Sequence, residues 1–221
     1  MTRAFDMLAA AAGLILLLPV LLILALLIKI GDGGPVFYRQ VRVGRHGHPF
    51  RIWKFRTMVV DADRAGRVLT VSGDARITRT GAWLRRWKLD ELPQLINVLT
   101  GEMGLVGPRP EVPRFVELYT ESQRKVLDLR PGVTDLASIA YREESDLLRG
   151  AEDPEAFYIG TILPDKIRIN LDYAATAGLW RNIKVILATL GLPSAGTQVP
   201  PSVKRPAGDG STAQLRLHDR S

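Results

Sequence analysis

The sequence predicts a mixed α/β protein that is mostly helical: an N-terminal membrane helix, then a small domain with a β-hairpin and amphipathic helices. Three observations predict it. Residues 7–28 carry no charge and are dominated by Leu, Ile, Val and Ala. Two short runs rich in β-branched and aromatic residues flank the turn Gly44-Arg45-His46-Gly47-His48. Beyond them, stretches of helical apolar periodicity alternate with turns built on Gly and Pro.

A chain of 221 residues has room for one compact domain with an anchor and a tail. The expected division is an anchor over 1–33, a folded domain over 34–192 and a disordered tail over 193–221, where Gly, Pro, Ser, Thr and charges dominate without an apolar period. The net charge of +7 and pI near 10.0 point to anionic partners: acidic lipid headgroups, phosphorylated substrates or nucleic acid. The absence of cysteine excludes disulfides, cysteine-ligated zinc and thiol catalysis. None of His46, His48 and His218 has a second histidine at helical metal spacing with a carboxylate beside it, which argues against a histidine metal site.

As one helix, residues 7–28 would reach roughly 33 Å at about 1.5 Å per residue, enough to cross a bilayer. The stretch is longer than a signal-peptide core, and no small-x-small cleavage pattern follows it. Pro19 lies inside it and lacks the N–H for its helical hydrogen bond, so a bend is expected there. Arg3 precedes the segment, while Lys29, Arg39, Arg42 and Arg45 follow it. These nearly symmetrical basic flanks suit a hairpin-like helix returning to the cytoplasmic side as well as a tilted spanning helix.

The runs 36–43 and 49–56 read as two strands with Arg and Lys alternating against apolar residues, giving one apolar and one basic face. Lys54 and Arg56 belong to that basic pattern, which is either a solvated surface or a seat for an anionic ligand. Residues 81–87 look like a short amphipathic helix with Trp83, Trp87, Arg85 and Arg86, suited to the membrane interface or to core packing. A helix is expected to start near Asp90, with Pro93 in its first turn and Gly101 at its end. The run Gly107-Pro108-Arg109-Pro110-Glu111-Val112-Pro113 reads as a rigid loop. Further helices are expected over 114–129, 158–169 and 183–190.

The adjacent carboxylates Asp90 and Glu91 are the sharpest chemical feature. At a helix start they either simply favour the backbone N–H groups or share that end with a phosphate. Mg²⁺ is commonly held by one or two carboxylates together with phosphate oxygens, which suits such a pair. One carboxylate could then attack phosphorus and form a covalent phosphoryl intermediate. Arg85, Arg86, Lys88 and Arg109 lie close in sequence as candidate phosphate clamps. Walker-type, dinucleotide-binding and G-x-S-x-G motifs are absent.

The continuous string from Trp87 to Glu111, WKLDELPQLINVLTGEMGLVGPRPE, closely resembles the signature of the bacterial sugar transferases, the monotopic phosphoglycosyl transferases. The similarity extends to 34–44, 50–58, 74–78 and 131–134, and covers roughly residues 1–190. The resemblance implies a re-entrant N-terminal helix broken at Pro19 and a cytoplasmic catalytic domain at the bacterial inner membrane. It implies a reaction in which Asp90 attacks the β-phosphate of a UDP-sugar, releases UMP and passes the sugar phosphate to polyprenyl phosphate. Glu91, with Asp90 beside it, would bind Mg²⁺, and Arg85 and Arg109 would contact phosphates. Membrane lipids are the implied surroundings, nucleic acid is not an implied partner, and a homo-oligomer is compatible with the resemblance. Two departures stand out: Leu18 precedes Pro19 where the family often has serine, and 135–139 replaces a commoner glycine-containing run.

Two rival functions remain at this stage. One is a non-enzymatic membrane-anchored module whose basic face holds anionic lipid or nucleic acid. The other is a phosphatase of lipid diphosphates with an acidic metal site.

Overall fold

The computed structural model describes residues 3–62 and 69–192. The expected tail over 193–221 lies outside the described residues, as do residues 63–68.

Helix α1 (Arg3–Asp32) opens the chain, with Asp6 in its first turn and Lys29 in its last, as the helix dipole favours. The helical backbone continues through Pro19. Any bend there lies within one continuous helix rather than in a gap between two. The helix is fastened to the following domain near both ends. At the start, Arg3 donates to the carbonyls of Met103 and Leu99 at 3.2 and 3.0 Å. Ala10 is buried with Ile52, Val98 and Met103. At the end, Leu24 and Ile28 pack with Phe55 and Leu84, while Asp32 is paired with Arg56. Between these contacts the apolar surface faces outward, with Ile15 and Leu16 76% and 80% exposed. One apolar stripe thus packs along the domain while the rest of the helix is left without protein cover.

Strands β1 (Phe37–Val43) and β2 (Pro49–Phe55) form the expected antiparallel hairpin, in register from Phe37 opposite Phe55 to Val43 opposite Pro49. His46 and Gly47 turn the chain with φ of 57° and 80°, conformations that Asn, His and Gly tolerate best. Because side chains alternate across a strand, Lys54, Tyr38 opposite it, Gln40 and Arg42 share one face. The other face is mixed rather than purely apolar: Phe37 stacks on Phe55, and Arg39 lies 4.2 Å above the Trp53 ring.

Helix α2 (Arg79–Arg86) is capped by Thr78, whose side chain accepts from Gly81 N at 2.9 Å. It buries Leu84, which meets the core-packing expectation, and exposes Trp83 and Trp87. The α-helix expected near Asp90 starts later. Residues Leu89–Glu91 form a 3₁₀ turn, and α3 runs from Gln94 to Thr100 behind Pro93. The reason is Pro93: without an N–H it cannot bond Leu89, and the bonds across it are of the three-residue kind, Leu92 to Leu89, Leu95 to Leu92 and Ile96 to Pro93. Gly101 ends α3 as expected, with φ of 98°.

Strand β3 (Gly104–Val106) pairs in parallel with β4 (Gly132–Thr134), a pairing the short segments do not announce in sequence. Their close approach needs glycine: a Cβ on Gly107 would lie 2.2 Å from the Arg130 carbonyl oxygen. The helix expected over 114–129 is instead α4 (Pro113–Val116), α5 (Glu121–Arg124) and a 3₁₀ turn (Lys125–Asp128). A capping box between Thr120 and Gln123 restarts the chain in the middle. Short helices α6 (Leu136–Ala140), α7 (Glu144–Arg149) and α8 (Pro154–Phe157) follow. A π-helical turn (Tyr158–Ile162) then leads into α9 (Leu163–Ala174) and, after a break, α10 (Leu179–Thr189). Pro164 lacks the N–H that would bond four residues back, so the turn widens ahead of it. Phe115, Tyr158, Ile162, Leu163, Ile167 and Val185 form the main apolar core.

The seat of α2 gives a direct test of this packing. A Cβ on Gly81 would sit 1.9 Å from the Thr57 carbonyl oxygen, whereas one on Gly178 meets nothing within 4 Å. Gly81→Ala is expected to lose about 1–3 kcal/mol of stability through overpacking. Gly178→Ala meets no such clash and is expected to cost only about 1 kcal/mol or less, for loss of an N-cap glycine, both read by thermal or denaturant unfolding.

Candidate active site

The site forms where the hairpin, α2, the 3₁₀ turn and the loop after β3 converge. Lys88 reverses the chain into the 3₁₀ turn in a left-handed conformation, φ 56° and ψ 21°. For a residue with a Cβ that conformation costs about 1 kcal/mol or more. Leu89 and Leu92 anchor the turn on the cluster of Leu24, Ile28, Phe55 and Leu84. The two acids between them therefore have fixed positions.

Their environments differ. Glu91 is paired with two cations: Lys54 Nζ lies 3.1 Å from Oε1, and Arg109 grips both oxygens, with Nη1 3.0 Å from Oε2 and Nη2 on Oε1. Burial pushes the Glu91 carboxyl upward, but Arg109 and Lys54 overrule it and hold it well below the usual carboxylate range. Asp90 is 6% exposed and accepts no hydrogen bond among the described residues. Burial raises its pKa; Lys54 opposes this, Glu91 adds to it, and Arg85 and Arg109 oppose it more weakly. Lys54 is itself pushed down to about 8 by burial, since Glu91, shared with Arg109, only partly restores its charge. Arg109 is raised chiefly by Glu91.

Of the phosphate-binding candidates, Lys54, Arg85 and Arg109 are brought to the acid pair and Arg56 is not. Arg85 is held by its Nε donating to Thr57 Oγ1 at 2.8 Å, and its charge acts on Asp90. Arg56 is occupied elsewhere, gripping the Asp32 carboxylate and donating to the Pro35 carbonyl at 2.5 Å, so it fastens the anchor. The reading of Asp90 as a helix cap is also corrected. The positive field on the acids comes from side chains on three separate elements, because the α-helix begins only at Gln94.

Two contributors escape sequence reasoning. Asn97 is fully buried; its Oδ1 accepts from Trp53 N at 2.8 Å, and its Nδ2 donates to the Arg51 carbonyl at 3.0 Å and to Glu102 at 2.7 Å. It staples α3 to β2 and so fixes the acid pair against Lys54. The only sequence signal for it is one polar residue within the apolar run of α3. Asp135 is 1% exposed, caps α6 through Ser138 N at 2.8 Å and adds to the field that raises Arg109. It begins the 135–139 run that departs from the common family pattern.

For a metal, the donor set is small. Among the described residues no group of three acids or histidines could hold an ion. The pair fits Mg²⁺ in the manner in which one or two carboxylates and substrate phosphates share the ion. Asp90 has both oxygens open; Glu91 Oε1 receives two cations and Oε2 one, leaving Oε2 the more available.

The acid pair and Arg109 lie on the string Trp87–Glu111, and the whole sequence can be compared with known proteins. The sequence profile of the bacterial sugar transferases matches residues 1–193. The chain belongs to the bacterial sugar transferase family. Over 191 residues it is 39% identical to a UDP-glucose:undecaprenyl-phosphate glucose-1-phosphate transferase of Caulobacter vibrioides, covering 85% of this chain and 67% of the relative. The Escherichia coli protein of the same name is 36% identical over 192 residues, which is 85% of this chain and 39% of that one. A UDP-N-acetylgalactosamine-undecaprenyl-phosphate N-acetylgalactosaminephosphotransferase of Aeromonas hydrophila is 34% identical, over 85% of this chain and 42% of its own length. The chain thus spans less than half of two of these relatives.

These environments set a pH profile. If the reaction needs Asp90 ionised, kcat/KM is expected to fall as the pH drops through its pKa, which burial raises from the usual value. If it also needs Lys54 charged, the rate is expected to fall as the pH rises through about 8. Lys54→Arg keeps the charge and should move the descending limb to higher pH; a limb unmoved by that change would remove Lys54 from the site.

Proposed function

We propose that this protein transfers a sugar 1-phosphate from a UDP-sugar to polyprenyl phosphate, releasing UMP, through a covalent adduct on Asp90. The observation that carries the reading is the contrast between the two acids. Glu91 is neutralised by Arg109 and Lys54. Asp90 is a buried carboxylate without a hydrogen-bond partner among the described residues, facing the fields of Lys54, Arg85 and Arg109. Burial strips water from Asp90, which sharpens its nucleophilicity, while the cations attract the substrate's phosphates.

In the first half-reaction a carboxylate oxygen of Asp90 bonds to the β-phosphorus. The bond from that phosphorus to the oxygen bridging the α-phosphate breaks, and UMP leaves with the electron pair. In the second, a phosphate oxygen of polyprenyl phosphate attacks the same phosphorus. The acyl-phosphate bond breaks, Asp90 returns as a carboxylate and the sugar is left on a polyprenyl diphosphate. Mg²⁺, when held by the acid pair and the substrate, supplies charge neutralisation at the phosphate oxygens. Arg109 and Arg85 are the phosphate clamps in this reading. Relatives whose names specify UDP-glucose and UDP-N-acetylgalactosamine donors, with undecaprenyl phosphate as acceptor, support the substrate classes. A relative described as an exopolysaccharide production protein supports a place at the start of polysaccharide synthesis. The rival binding module finds Arg42, Lys54 and Arg56 already paired with protein groups, which leaves it only the exposed Arg39 and Arg51 of the hairpin strands.

The anchor reading follows from the same geometry. A helix of 30 residues is about 45 Å long. If it crossed a hydrocarbon layer of about 30 Å, its far end would be out of reach of a domain on the near side. Both ends are instead bonded to one domain, which supports a helix that enters the membrane and stays on one side, with Pro19 in the outward-facing middle. The cytoplasmic face of the bacterial inner membrane is the proposed location.

Membranes containing the protein, supplied with UDP-sugars, polyprenyl phosphate and Mg²⁺, are expected to release UMP. Asp90→Asn should lower that rate by about 10³-fold or more, and labelled donor should leave a sugar phosphate on the wild-type chain only. Release undiminished in Asp90→Asn would refute the covalent route. Because the chain has no cysteine, Ala4→Cys and Pro35→Cys can each be labelled with a membrane-impermeant thiol reagent. Both are expected to react from the domain's side; Ala4→Cys reacting only from the opposite side would establish a spanning helix.

A further inference from the structure

The hairpin motif Tyr38-Arg39-Gln40-Val41-Arg42 is part of the family resemblance, yet the proposed reaction uses none of these residues. Arg42 is the notable one. Its side chain is only 17% exposed, and each of its three guanidinium nitrogens donates a hydrogen bond. Nη1 donates to the carbonyl of Pro110 at 3.0 Å, and it lies 3.8 Å from the Glu111 carboxylate. Nε and Nη2 both donate to Gln40 Oε1, at 3.0 and 2.6 Å. The next residue completes the grip: Val43 N donates to the Glu111 carbonyl at 2.8 Å.

These bonds land on the two residues that follow Arg109. On the other side the loop is pinned by Gly107 N donating to the Thr134 carbonyl and Gly132 N donating to the Pro108 carbonyl, each at 3.0 Å. The Tyr158 hydroxyl donates to Glu111 Oε1 and ties the loop to the helical core. Arg109 therefore projects from a backbone whose position is set on one flank by the β3–β4 pair and on the other by Arg42. A buried arginine is expensive unless every donor is used. Gln40, which takes two of those donors, gives Arg42 a single orientation.

We propose that Arg42, oriented by Gln40, is a positioning residue: it holds the Pro108–Glu111 loop so that Arg109 meets Glu91 squarely and leaves Asp90 open. Arg42 touches neither acid. Its effect reaches the site through the backbone at Pro110 and Glu111, so removing it displaces Arg109 without deleting its guanidinium. Displacement of a clamp by about 1 Å is enough to cost about 100-fold in rate. Arg42→Lys keeps a charge but cannot bond Pro110 and Gln40 together in the planar fork of a guanidinium. The inference rests on the proposed transferase reading for its kinetic consequence, but not for its structural one.

Two measurements separate the structural and kinetic claims. Hydrogen exchange on the full-length protein should be faster at the amides of Gly107, Arg109, Glu111 and Val112 in Arg42→Met, with protection in α9 and α10 unchanged. Exchange unaltered in that segment, or accelerated throughout the chain, overturns the positioning role whatever the protein catalyses. UMP release supplies the second readout. Arg42→Met and Arg109→Met should each lower kcat/KM by roughly 10–100-fold, the double variant should be no worse than Arg109→Met, and Arg42→Lys should recover only part of the loss. Losses that multiply in the double variant overturn the proposal even where UMP is released. If the wild type releases no UMP, the transferase reading fails, and the exchange result alone decides the role of Arg42.

Discussion

Two neighbouring carboxylates cannot both be ionised in a buried place unless something removes the repulsion between them, and here that is done by neutralising one of them. Arg109 and Lys54 hold Glu91 as an anion from two sides. Once that negative charge is compensated, Asp90 sits beside an ion pair rather than beside a bare anion, and the remaining positive field of Arg85 and Lys54 acts on it. Coulomb interactions at these distances outweigh the burial penalty for Glu91, which receives three direct hydrogen bonds, and do not outweigh it for Asp90, which receives none among the described residues. The functional asymmetry of two adjacent acids thus arises from hydrogen bonding rather than from residue type.

That arrangement depends on elements far apart in the chain. Lys54 comes from β2, Arg85 from α2 and Arg109 from the loop after β3, and each is set by its own support. Asn97 ties β2 to α3, Thr57 receives both α2 and the Arg85 side chain, and the parallel β3–β4 pair carries the loop. Buried polar groups such as Asn97 act as registration devices, because a shift of the hairpin by one residue would leave several of their bonds unmade. The anchor helix is part of the same construction. Arg56 holds the end of α1 through Asp32, and the Leu24–Ile28 stretch of α1 forms the floor under Leu89 and Leu92. The apolar helix and the acid pair are therefore mechanically connected: the turn bearing Asp90 and Glu91 rests on α1.

Proline placement explains most of the differences between expectation and structure. Pro93 shifts the start of α3 past the acids, and Pro164 opens the turn before α9. Apolar periodicity marks such segments as helical but does not reveal where a missing N–H changes the bonding pattern. In the 114–129 segment the interruption is a capping box, Thr120 with Gln123, whose signature is visible in sequence but competes with a helical pattern running through it.

Local chemistry was enough to determine the apolar anchor, the hairpin with its turn at 44–48, the amphipathic α2, the stop at Gly101, and the acid pair. These follow from hydropathy, from alternation, and from residues whose backbone preferences act within a few positions. Tertiary structure alone decided which cations reach the acids, that Arg56 serves the anchor instead, that Arg42 and Asn97 brace the site, and that both ends of the first helix return to one domain. Such outcomes rest on contacts between residues 24 to 100 positions apart. Their energies depend on burial and on competing partners, which no local pattern encodes.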